Sequence, residues 1–247
     1  MCFSVKSGLI TGRNHLVYGL NCQDSILTKE FVLKEKTYYI GAISDGCGEG
    51  KRSEVGAHLA VSYLVNKTYE LILSNTEEED IPPLLFRGLV ETLGNLKNSV
   101  LSHNSSAEED VNFIKEHLLF TALGYLITPS LCLIYALGDG VVLLNDFIDI
   151  RDENNHPNYI AYNLIDERYL KKSRRPLPKL FDVYRIPTTS LERLAIGTDA
   201  WEDELGVLIS LWDEKICKNV QRTMNVLSSK EKRFKDDGAI IIVKREK

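Results

Sequence analysis

Cysteine is sparse in this sequence, and its few cysteines follow no pairing pattern. The five cysteines are scattered, and no two of them stand in a CxxC spacing; they are Cys2, Cys22, Cys47, Cys132 and Cys217. A disulfide framework or a structural zinc site would need cysteines at regular, paired spacings. We therefore expect reduced thiols and neither of those two kinds of site.

Long apolar runs and an excess of basic residues are also missing. No run reaches the roughly 18 residues that span a bilayer, and the first residues lack the apolar core of a signal peptide. The chain has 30 Lys and Arg against 35 Asp and Glu, a formal net charge of −5, whereas general nucleic-acid binders are basic. We therefore expect a cytoplasmic protein that binds neither membrane nor nucleic acid.

The residues that are present predict a mixed fold. The chain has 247 residues, of which 44% are hydrophobic, enough for one sizeable core. Runs rich in β-branched and aromatic residues cluster towards both ends of the chain, and helical patterns lie between them. Because strands and helices do not alternate one by one, we expect a mostly antiparallel, layered α+β domain over 1–247.

The element boundaries follow from periodicity and turn residues. We predict strands at 4–10, 24–33, 37–44, 119–128, 130–139, 141–145, 180–186, 191–198 and 238–244, and helices at 53–73, 82–102, 109–117 and 213–228. Ser53 is predicted to cap the first helix, and the prolines at 82 and 83 to open the second. The polar, proline-punctuated stretch 146–180 is predicted to be a surface excursion or flap.

Several strands end at an aspartate, which is the main chemical signal in the sequence. Asp45, Asp139 and Asp199 follow apolar runs, whereas Asp24, Asp236 and Asp237 precede them. Two carboxylates about 4 Å apart repel by roughly 4 kcal/mol at an effective dielectric of 20, so convergent aspartates need a cation. The basic cluster KKSRR at 171–175 lies elsewhere in the sequence. Mg²⁺ or Mn²⁺ is therefore the economical candidate, although each aspartate taken alone also fits a simple turn.

The order of these segments resembles that of the metal-dependent protein phosphatase family (the protein phosphatase 2C-like enzymes). The matching segments are HLVYGLNCQDS, AISDGCGEGKRSEVGAHLA, LFTALGYLITPSLCLIYALGDGVVLL, LAIGTDAWED and DDGAIIIV, and they span about residues 12 to 244 in family order. The DGxGxG-type turn is the most specific of them. The opening, with its histidine, glycine and QD pair, is closest to a bacterial subgroup.

The resemblance implies an antiparallel β-sandwich flanked by helices on both sides, with two Mg²⁺ or Mn²⁺ ions at one edge. It implies that Asp45 bridges both ions, that Gly46 contributes its carbonyl oxygen, and that Asp199 and Asp236 complete the second ion. Asp24 would hold metal-bound waters, and Asp139 with Asp199 would carry a third, weaker ion. Asp237 is the alternative to Asp236. The implied activity is attack by a metal-bridging hydroxide on a phosphoserine or phosphothreonine of a protein substrate.

The sequence departs from the family pattern at the phosphate-binding positions. The arginine that many members carry five residues before the aspartate matched by Asp24 is Gly19 here, and the glutamate that often precedes that aspartate is Gln23. The turn histidine of many members, a candidate acid for the leaving group, is Cys47, which is either a weak proton donor or a small turn residue. Arg13 and His15 are the remaining candidates for contacting substrate phosphate.

Three functions follow from these observations. The first is a monomeric, metal-dependent serine/threonine protein phosphatase, which the retained aspartates favour. The second is a catalytically weak or inactive relative that binds a phosphoprotein as a regulatory module, which the missing arginine and histidine favour. The third is hydrolysis of a small phosphomonoester. Phosphatase activity of the purified protein with and without metal separates the first two.

Overall fold

Ten strands and six helices form the parts of the chain that the computed structural model describes, which are residues 2–101, 105–152, 157–166, 168, 177–211 and 219–246. The strands are β1 Phe3–Ile10, β2 Ser25–Leu33, β3 Lys36–Ser44, β4 Ala122–Ile127, β5 Leu131–Leu137, β6 Gly140–Leu144, β7 Phe147–Arg151, β8 Asp182–Pro187, β9 Arg193–Gly197 and β10 Gly238–Arg245. The helices are α1 Arg13–Tyr18, α2 Glu54–Leu73, α3 Ile81–Val100, α4 Ala107–His117, α5 Leu205–Ser210 and α6 Val220–Glu231.

The strands form two five-stranded sheets in which every pairing is antiparallel. The first sheet has the order β1-β10-β9-β6-β7, and the second has the order β2-β3-β4-β5-β8. The sheets pack face to face over an apolar core that includes Tyr39, Ile134 and Ile241. The predicted antiparallel α+β sandwich is confirmed.

Helices cover the outer face of each sheet. Leu64 of α2 and Leu89 of α3 belong to the core on the outside of the second sheet. Met224 of α6 and Leu208 of α5 belong to the core on the outside of the first. Burying a side chain of this size contributes roughly 1.5–3 kcal/mol, so both helical layers stabilise the sandwich.

Burial on both faces explains why the central strands are continuous apolar runs. In β10, Ile241 and Val243 point into the core between the sheets, and Ile240 and Ile242 point towards the helices. Successive side chains of a strand alternate between the two faces, so a strand that is covered on both sides needs apolar residues throughout.

The pairing of the strands brings the aspartate-bearing strand ends to one edge. Ser25, at the start of β2, pairs with Ser44, at the end of β3. The Thr198 N–H, just after β9, donates to the Ala239 carbonyl at the start of β10, at 3.1 Å. Antiparallel neighbours run in opposite directions, so a strand that ends at this edge lies beside one that begins there.

The predicted cap of the first long helix was wrong, whereas the helix boundaries lie close to prediction. The Ser53 hydroxyl makes no capping bond, because Ser53 is already helical (φ −64°, ψ −19°) and its Oγ is buried without a hydrogen-bond partner. The second and third helices occupy 81–100 and 107–117, close to prediction, and the third begins with a capping box at Ser106.

Three elements were not predicted: α1, α5 and β7. The stretch 146–180, predicted to be a surface excursion or flap, contains regular secondary structure: β7 and a 3-10 helix, Ile160–Leu164. Ile160 and Ala161 of this helix are buried. The basic cluster at 171–175 lies outside the described residues, as does the start of the predicted helix 213–228, whose described part is α6.

No helix among the described residues is both long and apolar enough to cross a membrane.

Candidate metal centre

Asp45 lies in a turn whose backbone is fixed on both sides. Its N–H donates to Thr121 Oγ1 at 3.1 Å, and its carbonyl accepts from the Thr121 N–H at 2.8 Å. The next residue, Gly46, donates its N–H to the Gln23 carbonyl at 3.2 Å. A Cβ on Gly46 would lie 2.9 Å from that carbonyl oxygen and from the Ser53 backbone, so the tight turn requires glycine.

Asp24 is a buried carboxylate with one oxygen left without a partner. Its residue is 1% exposed, Oδ2 accepts from Thr198 Oγ1 at 2.8 Å, and Oδ1 has no hydrogen-bond partner. A buried charge without compensation is costly, so this oxygen requires either a hydrogen-bond donor or a cation. The Thr198 bond joins the start of β2 to the end of β9.

The pKa shifts show which carboxylates interact electrostatically. Burial raises the pKa of the Asp45 carboxyl well above its usual range, and the charges of Asp24 and Asp199 raise it further. Burial likewise raises the pKa of Asp24, against which the Thr198 hydroxyl acts. Burial also raises the pKa of Asp199, and the adjacent Asp236 adds to that shift. Like charges disfavour ionisation of one another, so these four carboxyl groups share one electrostatic site.

No lysine or arginine neutralises this group within the described parts of the chain. There, no lysine or arginine forms an ion pair with Asp24, Asp45, Asp199 or Asp236. Carboxylate oxygens are the ligands that Mg²⁺ and Mn²⁺ prefer. The donor set and the orphaned oxygen of Asp24 therefore fit hard divalent ions. We call these four aspartates the acidic cluster.

The two adjacent aspartates before β10 have different environments. Asp237 is 3% exposed, and its carboxylate accepts the Gly12 N–H at 2.6 Å and the Gln23 N–H at 2.5 Å. The Asp236 side chain is 68% exposed, and its Oδ1 accepts only the Asp237 N–H, at 2.8 Å. Asp237 is thus occupied in joining three chain segments, whereas Asp236 keeps oxygen lone pairs available to a ligand.

Glu202 extends the acidic cluster towards Asp139. Burial raises the pKa of Glu202 to about 7, and the charges of Asp199, Asp152 and Asp139 contribute. Its Oε1 is buried without a hydrogen-bond partner, and Asp139 is 7% exposed. The charges of Asp139 and Asp199 therefore both act on the Glu202 carboxyl group. Glu202 was not predicted, although its spacing of three residues after Asp199 in a helical turn was an available signal.

Cys47 lies beside tyrosines of the 3-10 helix region. Its N–H donates to the Leu119 carbonyl at 2.9 Å, which fixes the turn after Asp45. Burial raises the pKa of the Tyr159 hydroxyl, and its neighbours Cys47 and Asp45 raise it further. The ring of Tyr162 packs edge-on against Tyr159 with centroids 5.5 Å apart. Cys47 is therefore flanked by tyrosine on the side of the predicted flap.

Arg13 and His15, the remaining candidates for contacting phosphate, have different environments in the structure, and Gly19 marks the position of the missing arginine. Arg13 Nη1 donates to the Lys232 carbonyl at the end of α6, at 3.1 Å, so the structure does not bring this guanidinium into the acidic cluster. His15, by contrast, lies between Asp236 and Asp237. Gly19 ends α1 in the left-handed conformation with φ +66°, which glycine adopts without strain and arginine does not.

The family comparison follows from this architecture. The chain is an α-β-β-α protein with a carboxylate-rich site at one edge of its two antiparallel sheets. A family model described as protein phosphatase 2C matches residues 11–231. The chain therefore belongs to the protein phosphatase 2C family, as the order of its motifs predicted.

Solved structures with the same fold have little sequence identity to this chain. A variant of a bacterial serine phosphatase has a TM-score of 0.67 at 14% identity, with 100% of both chains covered. The S. agalactiae serine/threonine phosphatase has a TM-score of 0.64 at 14% identity, covering 99% of this chain and 100% of its own. RsbX in complex with magnesium has a TM-score of 0.52 at 14% identity, covering 98% and 94%. No curated protein sequence gives a significant match.

Proposed function

We propose that this chain is a metal-dependent serine/threonine protein phosphatase. The observation that carries the proposal is the acidic cluster: four aspartates from separate chain segments, one of them with a buried oxygen that accepts no hydrogen bond, and no ion pair to a described lysine or arginine. Family membership supports hydrolysis of phosphoproteins, and the magnesium in the RsbX complex supports the choice of ion.

The residues would divide the work as follows. Asp45 would be the ligand shared by two ions, Gly46 would add its carbonyl oxygen, and Asp199 and Asp236 would complete the second ion. When bound, two divalent ions lower the pKa of a water towards neutrality and offset charge on phosphoryl oxygens. Mg²⁺ and Mn²⁺ both suit this donor set.

Two further aspartates have supporting roles in this proposal. Asp24 would orient water by accepting its hydrogen bonds, held in place through Oδ2 by Thr198. Asp139, together with Asp199, would hold a third and weaker ion, next to the carboxyl group of Glu202. Cys47 would stand beside the leaving oxygen of the substrate, where a thiol is a poor proton donor.

The direct test is phosphate release from a phosphoserine peptide with Mn²⁺ or Mg²⁺, with excess chelator as the blank. We expect turnover only with metal, and a loss of more than about 100-fold in Asp45→Asn, because even residues behind metal ligands are worth roughly 10–100-fold. Asp146→Asn is the matched control, since the Asp146 side chain is 95% exposed and its ion pair is with Arg193, which is not a site residue.

The same assay separates the alternatives. Metal binding without turnover on any phosphopeptide would favour a regulatory module that binds phosphoproteins. Turnover on small phosphomonoesters but not on peptides would favour the small-molecule activity. Turnover that survives in Asp45→Asn would contradict the proposal.

A further inference from the structure

His15 is held between the carboxyl groups of two consecutive aspartates. Its Nδ1 lies 2.8 Å from Asp237 Oδ2, and its Nε2 lies 3.8 Å from Asp236 Oδ1. Its side chain is 12% exposed although the neighbouring residues of α1 are in solvent. One donor atom from each of these three residues lies within 4.8 Å of the other two, the geometry of a small metal-binding group.

The surroundings of Asp237 determine which nitrogen carries the proton. A carboxylate can only accept hydrogen bonds, and that of Asp237 already accepts the N–H groups of Gly12 and Gln23. The Nδ1 of His15 must therefore be the donor in the 2.8 Å contact. In the neutral imidazole, this leaves the lone pair on Nε2, the nitrogen on the side of Asp236.

Asp236 and Nε2 are separated by a distance that suits a shared ion. At 3.8 Å, Nε2 and Oδ1 are too far apart for a hydrogen bond. Bonds of about 2.0–2.2 Å from nitrogen and oxygen to a divalent transition ion allow the two ligand atoms to lie up to about 4.4 Å apart, so both atoms can contact one ion. A carboxylate that holds the far nitrogen of a metal-bound histidine is a recurring arrangement, because it fixes the tautomer and the ring orientation.

We propose that His15 Nε2 is a nitrogen ligand of the ion that Asp236 binds, oriented by Asp237. The inference rests on the proposed function, since it adds a ligand to the metal pair described there. Imidazole suits transition ions such as Zn²⁺, Fe²⁺ and Ni²⁺, whereas carboxylate and water ligands suit Mg²⁺ and Mn²⁺. His15 thereby shifts the preference of this position away from Mg²⁺ and towards divalent transition ions, for which Mn²⁺ is the paramagnetic probe.

The experiment uses the metal-stripped full chain loaded with Mn²⁺ and read by pulsed electron paramagnetic resonance. We expect nitrogen coupling from a directly bound imidazole, and we expect it to change when the histidines carry ¹⁵N. His15→Asn is the diagnostic variant, because the asparagine amide can keep the hydrogen bond to Asp237 but has no atom at the place of Nε2. In it the coupling disappears and Mn²⁺ affinity falls by about 10-fold or more, whereas Mg²⁺ affinity changes by less than about 3-fold.

Each outcome bears on a different claim. Mn²⁺ binding without nitrogen coupling in the wild type, or coupling that persists in His15→Asn, overturns the histidine ligand and leaves the proposed phosphatase standing. Absence of Mn²⁺ binding to the wild type overturns both. If His15→Asn does not fold, His15→Gln replaces it, since glutamine reaches the place of Nε2 with an amide and must also abolish imidazole coupling.

Discussion

Thr198 donates its hydroxyl to Asp24 Oδ2 at 2.8 Å and accepts the Ala239 N–H at 3.0 Å. A single buried hydroxyl therefore connects the start of β2, the end of β9 and the start of β10. Among the neighbours of the Asp24 carboxyl group, which include the Asp45 carboxyl, Thr198 provides the hydroxyl donor. The position of Asp24 at the acidic cluster consequently depends on a residue that is not itself a candidate ligand.

We expect Thr198→Val to weaken both the fold and metal binding. The substitution leaves a buried carboxylate oxygen and a backbone N–H unpaired, at a cost of about 1–3 kcal/mol in the free energy of unfolding. Urea unfolding in chelator and Mn²⁺ titration measure the two effects. Thr188→Val is the matched control, because Thr188 is also buried and its hydroxyl donates to the Thr128 carbonyl at 2.8 Å. Thr128 lies before the start of β5, at the end of that strand opposite to Asp139. Equal loss of Mn²⁺ affinity in both variants would contradict this reading.

Gly12 is predicted to be irreplaceable because the backbone of the 236–237 segment lies against it. A Cβ there would lie 2.2 Å from the Asp236 carbonyl carbon, which only a backbone shift can relieve. We expect Gly12→Ala to cost about 1–3 kcal/mol and to weaken metal binding by displacing Asp236. In Gly206→Ala the new Cβ meets nothing within 4 Å, and since Gly206 lies inside α5, that variant should be neutral or slightly stabilised. A stable Gly12→Ala protein with full Mn²⁺ affinity would refute the packing argument.

The stability of the metal-free protein is predicted to fall as pH rises. Burial and mutual repulsion raise the pKa of Asp24, Asp45 and Asp199 in the folded state. The native state therefore holds protons that the unfolded state has lost above the ordinary aspartate pKa of about 4. This contribution to stability is fully present below that value and is lost as pH rises through the raised folded pKa values.

Unfolding in chelator between about pH 5 and about pH 8 measures the effect, and Asp24→Asn should flatten the fall. Asp110→Asn is a control that should leave the slope across this range unchanged, because hydrogen bonding to Lys97 lowers the pKa of Asp110. Its contribution is present above the ordinary carboxyl pKa and is lost as pH falls. Metal-free stability that rises across this range, with no change in Asp24→Asn, would contradict the repulsive cluster.

Cys47→His is predicted to improve hydrolysis of alkyl phosphates selectively. A histidine, with an ordinary pKa of about 6.5 against about 8.5 for a thiol, is the better proton donor to a serine leaving group. We expect at least about a 10-fold gain on a phosphoserine peptide and little change on nitrophenyl phosphate, whose leaving group needs no proton. Cys47→Ser controls for loss of the thiol. An equal change on both substrates would argue against a missing general acid.

Strands covered on both faces were predictable, whereas elements with exposed surfaces were not. The runs in β3 and β10 stand out because no polar residue interrupts them. By contrast, no residue of α1 is buried, and Leu16 and Val17 are 63% and 79% exposed, so its pattern carries no helical periodicity. Strand β7 lies at the edge of its sheet, with Phe147 52% exposed.

The aspartates of the site could be found in the sequence because each adjoins a strand. The structural role of Asp237 could not be found in the sequence, because it depends on backbone N–H groups of Gly12 and Gln23, more than 200 positions away. The displacement of Arg13 to the end of α6 likewise follows from tertiary packing. Residue type and order therefore predicted the acidic residues of the candidate site, and the contacts between distant segments decided the neighbours of each.

Binding of Mn²⁺ to the metal-stripped protein, measured by calorimetric titration, tests the central claim most directly. The acidic cluster predicts about two ions per chain in the wild type, with at least one lost in Asp45→Asn and none lost in Asp146→Asn, while circular dichroism shows all three proteins folded. A folded wild-type protein that binds no divalent ion, or an Asp45→Asn variant that binds as the wild type does, would contradict it.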